Sequence, residues 1–399
     1  MEREKAARHW KFEDGIVCLN HGSFGAVPLP VQIAENNVRQ RLRDNAFDHL
    51  VFEHGGLLSQ AHTGLMEENR HHLADLVHAD TEGFVLTQGA TDGVNAVFRS
   101  LRERGYFKPG DEILITSHTY NACANVAHET AALTGAKVVV ADLPFPVESA
   151  GQIRSVVSNI ITDKTKLAMI DHIPSIQAYI SPIEDVVADM KARNVPVLVD
   201  GAHALAQVPL NLDRLGADFY VGNCHKWFCA PPGSGFLSVA PKWREVIHPT
   251  VLSHGYNDES PELSPLVKMF AWTGTRDYSS MFVLKEAHQF LDSLSSQGMW
   301  DMVASNRALV REGYGLLLDT LKQKPNVPED MMGTMATVIL PPCEALAVKQ
   351  RLRDEHGFVT QLLPNAVNGR PILRISAHAY NSRSQYEKLA AALPKALTR

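Results

Sequence analysis

From about residue 84 to residue 240, short apolar runs alternate with amphipathic stretches of helical length. The runs are Phe84-Val-Leu-Thr87, Glu112-Ile-Leu-Ile-Thr116, Ala136-Lys-Val-Val-Val-Ala141, Leu167-Ala-Met-Ile-Asp171, Val195-Pro-Val-Leu-Val-Asp200, Asp218-Phe-Tyr-Val221 and Gly235-Phe-Leu-Ser-Val239. They are rich in Val, Ile and Leu and mostly lack two-residue alternation, the pattern of strands covered on both faces. Strands that alternate with helices predict an α/β domain around a mainly parallel central sheet with helices on both faces. Beyond it the pattern predicts a long helix over 281–296 and strands near Ala336-Thr-Val-Ile-Leu340, Phe358-Val-Thr360 and Ile372-Leu-Arg-Ile375, with helices at about 344–355 and 383–397. The organisation expected is an N-terminal arm of the small domain over 1–60, a large α/β domain over 61–280 and a smaller C-terminal α+β domain over 281–399. Tyr256 to Pro265, with its Asn, Asp, Ser and Pro residues, is the nearest thing to a mobile segment.

At 399 residues, 45% hydrophobic and 21% charged, the chain can bury a large core. A formal net charge of -6 and the lack of any Lys/Arg run argue against a nucleic-acid or anionic-membrane partner and leave a small-molecule substrate. No apolar run approaches the roughly 18 to 20 residues that a membrane span needs. The charged start Met-Glu-Arg-Glu-Lys leads into no apolar segment, so no secretory signal is expected. Cys18, Cys123, Cys224, Cys229 and Cys343 are few, odd in number and scattered, which suits a reducing compartment. The expected location is the cytoplasm.

Successive strand ends carry residues useful to one cofactor. Val197-Leu-Val-Asp200-Gly-Ala-His203 puts an acid at the carboxyl end of a buried strand, where a parallel α/β sheet builds its site. A carboxylate there can hold a pyridinium nitrogen protonated and so keep the ring an electron sink. The next strand runs into Gly222-Asn-Cys-His225-Lys226-Trp227, and a lysine in a desolvated pocket becomes a Schiff-base nucleophile because burial lowers its pKa. Gln88-Gly89-Ala90-Thr91 lies between a strand and a helix, so glycine and the free N–H groups of the helix start can seat a phosphate. Alone, Asp200 reads as a helix cap, Lys226 as a surface lysine and Thr91 as a cap. Together they read as a site for pyridoxal 5'-phosphate (PLP).

With these motifs the sequence resembles the class V aminotransferase superfamily of fold-type I PLP enzymes, and within it the isopenicillin N epimerase-like and cysteine C–S lyase group. The matching segments are Leu19-Asn-His-Gly-Ser-Phe-Gly25, Thr87-Gln-Gly-Ala-Thr91, Val199-Asp-Gly-Ala-His-Ala204, Gly222-Asn-Cys-His-Lys-Trp227, Trp272-Thr-Gly-Thr-Arg-Asp277, Met332-Gly-Thr-Met335 and Leu373-Arg-Ile-Ser376. The resemblance implies that Lys226 carries the cofactor as a Schiff base, Asp200 pairs with the pyridinium nitrogen and His203 lies near the ring oxygen or phosphate. It implies a phosphate seat of Gly89, Ala90 and Thr91 helped by His225, with Thr273-Gly-Thr275 reaching the phosphate of a neighbouring subunit in a homodimer. His118 or Tyr120 stacks on the ring. Arg374 grips the substrate carboxylate through a planar guanidinium, and Asn20 sits near the substrate. Pro174-Ser-Ile-Gln177 departs from the Thr-Ser-Pro-Thr type of many members, which leaves the substrate side chain open and makes Gln177 a candidate reader of it.

No metal is expected, because His118, His203 and His225 suit neutral hydrogen bonding and no His-Glu-x-x-His spacing is present. Cysteine desulfurases of the superfamily carry a loop cysteine shortly before the Arg-Ile-Ser segment. Residues 361–373 contain none. PLP acidifies the α-carbon but the fold does not choose the next bond. The reading favoured is a C–S lyase acting by β-elimination on a cysteine derivative or its sulfoxide, with Tyr120 protonating the departing sulfur. Epimerase, aminotransferase and a non-catalytic PLP-holding protein are the alternatives.

Overall fold

The computed structural model describes residues 1–45, 64–259, 261 and 263–398. The expected arm therefore lies outside the described residues from 46 onward, as do residues 260 and 262 of the segment expected to be mobile; around them, His254–Asn257 forms a 3-10 turn and Pro265–Ala271 a helix. Within the arm, strand β1 (Val17–Cys18) precedes a short helix at His21–Phe24 and a longer one at Leu29–Asp44.

Seven strands build the central sheet: β2 (Phe84–Thr87), β3 (Glu112–Thr116), β4 (Lys137–Ala141), β5 (Thr165–Asp171), β6 (Val197–Gly201), β7 (Phe219–Asn223) and β8 (Gly235–Val239). Their order is β2-β8-β7-β6-β5-β3-β4, and β8 alone runs antiparallel to its two neighbours. Successive side chains of one strand feed two separate cores: Val197 and Val199 enter one cluster and Leu198 the other, as Ala168 and Ile170 oppose Leu167 and Met169. That is why the runs lack polar alternation. At the edge, β4 leaves Lys137 and Val140 exposed.

The C-terminal strands are β9 (Met335–Ile339), β10 (Phe358–Val359), β11 (Gln361–Val367) and β12 (Arg370–Ser376), with β12 central in an antiparallel sheet of order β11-β12-β9. β1 pairs in parallel with β10, and Leu19 accepts the Ser376 N–H, so the arm is hydrogen-bonded to the C-terminal sheet. The expected helix over 281–296 divides into a fully buried 3-10 turn, Ser279–Val283, and a helix at Leu284–Ser293. Beyond residue 296, one helix and one strand were not anticipated: the 23-residue helix Met299–Leu321 and strand β11. The first buries Met299, Met302, Val303, Asn306, Leu309, Val310 and Gly313, a helical spacing present in the sequence. β11 contains Pro364, which demotes a strand reading in sequence, and it lies at the sheet edge where proline is tolerated. Among the described residues, no helix is long and apolar enough to cross a membrane.

Candidate active site

The carboxyl ends of β5, β6 and β7 open on one pocket of about 620 Å³. Parallel register sets Asp171 beside Asp200 and Gly201 beside Gly222, so two carboxylates lie side by side on the pocket floor. Lys226 follows β7 by three residues and lines the same pocket. Its ammonium pKa is lowered to about 8, chiefly by burial, while Asp200 pulls the other way. Nζ lies 3.0 Å from His203 Nε2.

Asp200 is fixed from both sides. One oxygen accepts the Ala202 N–H at 3.0 Å and the other accepts the Cys123 thiol at 3.3 Å. Asp171 has one oxygen, Oδ2, without a hydrogen-bond partner, although the residue is buried. Burial and the neighbouring Asp200 push its carboxyl well above the usual range, against the Tyr120 amide and Thr119 hydroxyl that face it. At the other end of the pocket, the helix Ala90–Glu103 begins after Gly89, which has no side chain to cap it. Thr91 is thus not a cap. The Ala90 N–H donates to Asn223 Oδ1 at 2.8 Å, and a Cβ on Gly89 would meet that oxygen at 3.0 Å, so the turn has no room for a side chain. Thr91, Asn95, Arg99, His225 and Thr250 complete this end. His225 is kept neutral, its pKa lowered to about 4 by burial and by Lys226.

These residues fit PLP. A phosphate would find the helix start at Gly89–Thr91, a ring nitrogen Asp200 and an aldehyde a desolvated lysine, all within one pocket. Gly89, Ala90, Thr91, Asp200, His203, His225 and Lys226 are brought together as the sequence suggested.

Five expected site residues, Asn20, His118, Gln177, Thr275 and Arg374, do not line the pocket. Tyr120 lines the pocket and is 48% exposed, whereas His118 is buried, bonds Tyr179 Oη through Nδ1 at 2.9 Å and does not line it. Of the two, only Tyr120 faces the pocket. Tyr120 directly precedes the helix Asn121–Thr134, while contacts with the distant Tyr179 and Phe145 turn His118 into the core. Thr275 is exposed in a turn closed by Tyr278, whose hydroxyl donates to the Gly274 carbonyl at 2.7 Å, and does not line the pocket of its own chain. Gln177 is buried behind the wall with Oε1 unpartnered. Arg374 lies behind Ser23 and Ser175, which do line the pocket. Nη2 donates to Ser23 Oγ at 2.9 Å and Asn20 Oδ1 at 3.0 Å, and Nη1 to Ser175 Oγ at 3.1 Å and to the Ser175 carbonyl.

Asp171, Cys123, Asn223 and Ser23 were missed, while Ser175 lies in the 174–177 segment expected to face the substrate. Only Asp171 had a signal: two neighbouring buried runs both end in Asp, at 171 and 200. Elsewhere, Nε2 of His21, Nε2 of His378 and Sγ of Cys229 gather within 4.8 Å in the core. The two imidazoles stack with centroids 4.1 Å apart and planes 16° from parallel. A metal lies in the plane of each imidazole that binds it, and two stacked planes share no point near either ring. The cluster is a packed hydrogen-bond group.

The class-V aminotransferase family model matches residues 46–389. A rice (Oryza sativa subsp. japonica) protein named putative L-cysteine desulfhydrase 1 is 31% identical over 96% of this chain and 83% of its own. The isopenicillin N epimerase of Streptomyces clavuligerus is 30% identical over 98% of this chain and 97% of its own. A solved mutant of C-DES with glycine covalently linked to its PLP cofactor superposes with a TM-score of 0.77 at 21% identity, covering 95% of this chain and 96% of that one.

Proposed function

Because the chain belongs to the class-V aminotransferase family, we propose that it is a PLP-dependent C–S lyase that acts on an L-cysteine derivative bearing a sulfur leaving group. Bound PLP supplies an electron sink for the α-carbon of an amino acid. Lys226 holds the cofactor, and its lowered pKa lets the freed amine take the α-proton near neutral pH. Asp200, fixed by Ala202 and Cys123, holds the ring nitrogen's proton. Arg374 with Ser23 and Ser175 receives the carboxylate, and Tyr120 donates a proton toward the departing sulfur from the pocket mouth.

The observation that carries elimination over persulfide formation is the state of the thiols. Cys123, Cys224 and Cys229 are buried, their thiols pushed up by burial, and Cys123 is committed to Asp200. None of these three can act as an exposed sulfur acceptor, and the half-buried Cys18 and Cys343 do not line the pocket. Elimination also asks for one base, Lys226, whereas inversion asks for a second proton carrier on the opposite face. Tyr120 could be that carrier, and with the epimerase relative it keeps epimerization as the second reading. Incubation with S-substituted cysteines and their sulfoxides, following pyruvate, ammonia and chiral purity together, tests this. Pyruvate with retained chirality of residual substrate supports the lyase. Inversion without pyruvate moves the enzyme to the epimerases, and product formed only with an added keto acid moves it to the aminotransferases.

The working form in this proposal is a homodimer, in which Thr275 completes the partner's phosphate seat. Free thiols at all the cysteines suit a reducing compartment, and the cytoplasm is the proposed location.

A further inference from the structure

The turn Asn20–Gly25 touches both chemical ends of the pocket. Asn20 Oδ1 accepts from Arg374 Nη2 at 3.0 Å and from Ser23 Oγ at 2.8 Å. The next residue, His21, donates its backbone N–H to Ser376 Oγ at 2.7 Å, on the strand that carries Arg374 two positions earlier. Its side chain then crosses to the other element: His21 Nε2 lies 3.0 Å from the backbone carbonyl of Lys226. A carbonyl only accepts, so Nε2 carries the proton and Nδ1 is the acceptor facing Tyr380 Oη at 3.1 Å. The ring is held neutral, its pKa lowered to about 4 by burial, and it stacks on His378. Gly25 closes the turn so tightly on the same loop that a Cβ there would lie 1.8 Å from the His225 carbonyl oxygen.

We infer that His21 is a positioning residue, which holds the Lys226 backbone through its Nε2–H and, with Asn20 beside it, fixes the distance between the lysine and the carboxylate-binding Arg374. This rests on the proposal that Lys226 carries the cofactor. The substrate is gripped by a residue of the C-terminal sheet and attacked by a residue of the central sheet, so the separation of two independently packed elements sets the alignment of the reacting bond. Small errors in that separation are expensive in rate, because alignment supplies much of the acceleration. One buried turn bonded to both elements removes that freedom. His21 touches neither substrate nor cofactor, so it acts on kcat through Lys226. Asn20 acts on carboxylate binding through Arg374.

The test compares His21→Phe, which keeps a ring against His378 without a donor, with His21→Gln, whose amide N–H can reach the same carbonyl. In the holoenzyme, His21→Phe is expected to lower kcat roughly 10- to 100-fold, the effect of one buried hydrogen bond lost at the reacting group, with KM within about threefold of wild type. The pH midpoint of the bound-cofactor absorbance band should move as well. His21→Gln is expected to restore kcat to within about threefold and return the midpoint. Asn20→Ala should show the opposite split, with KM raised and the midpoint unmoved. Equal losses in His21→Phe and His21→Gln, or a His21→Phe enzyme with wild-type kcat and spectrum, overturn the inference. Borohydride fixation and peptide mapping of the wild type stand apart as the check on Lys226 itself: cofactor on another lysine removes the premise, whatever the His21 variants do.

Discussion

Lys226 Nζ lies 3.0 Å from His203 Nε2, and the same imidazole accepts the Trp227 indole N–H on Nδ1 at 3.3 Å. A neutral imidazole has one N–H. With Nδ1 accepting, the proton sits on Nε2, so this contact is a hydrogen bond only when the lysine is the free amine, and it favours that form over the ammonium. Burial and the Lys226 charge hold the His203 pKa well below its usual value, so the ring does not take a second proton. In the proposed role of Lys226 as nucleophile, the residue that follows it in sequence thus favours the reactive amine through a histidine of the neighbouring strand end.

Cofactor loading should report this. The rate at which apoprotein takes up PLP is expected to rise with pH through about 8, where Lys226 loses its proton. Trp227→Phe frees the His203 tautomer and should raise that midpoint by roughly one unit. Stopped-flow absorbance measures it, and an unmoved midpoint would remove the tautomer argument.

Lys226→Ala should abolish cofactor that borohydride can fix to the chain and lower turnover at least about 10³-fold, since it removes anchor and base together. Mass spectrometry of reduced, digested protein decides it. Fixation at a second lysine in the variant would reassign the site.

Asp200→Ala should keep part of the cofactor yet lose roughly 10²- to 10³-fold in kcat, because the ring nitrogen loses its partner. Cofactor content per chain and kcat are measured on one sample. Near-normal turnover would point to Asp171 as the working acid.

Asp171→Asn should change stability in a pH-dependent way. The folded pKa of Asp171 is raised by burial above the unfolded value of about 3.9. Folding therefore takes up a proton, and this group's contribution to stability falls as pH rises from near 4 towards the folded pKa. Asn lacks that slope, so apoprotein denaturation at pH 5 and pH 8 should show the variant gaining on wild type as pH rises. A constant gap would mean that Asp171 is ionised in the fold.

Thr275→Ala should weaken PLP retention without disturbing the pocket of its own chain, because Thr275 does not line that pocket. Equilibrium dialysis of the variant and light scattering of the wild type test the dimer together. A stable, fully active monomer at assay concentration would refute it.

The sequence by itself determined the sheet and the cofactor. The central strands from Phe84 to Val239 were legible because side chains alternating between two apolar cores leave an unbroken hydrophobic run, the edge strand β4 alone being partly exposed. Asp200 and Lys226 were legible because each follows such a run, and a strand end is a local feature. The apolar spacing of the helix Met299–Leu321 is an equally local pattern.

What only the tertiary structure decided is everything that depends on which chain segments meet. His118 and Tyr120 are two residues apart and chemically alike as ring-stacking groups, and only packing against Tyr179 and Phe145 sends one into the core. Asp171 became half of a carboxylate pair only through the register of β5 against β6. Ser23 and Asn20 reached Arg374 from more than 350 positions away. Hydrophobic period reports how much of each residue is buried, whereas hydrogen bonds between distant segments depend on the direction of side chains after the cores have closed, and no local pattern carries that.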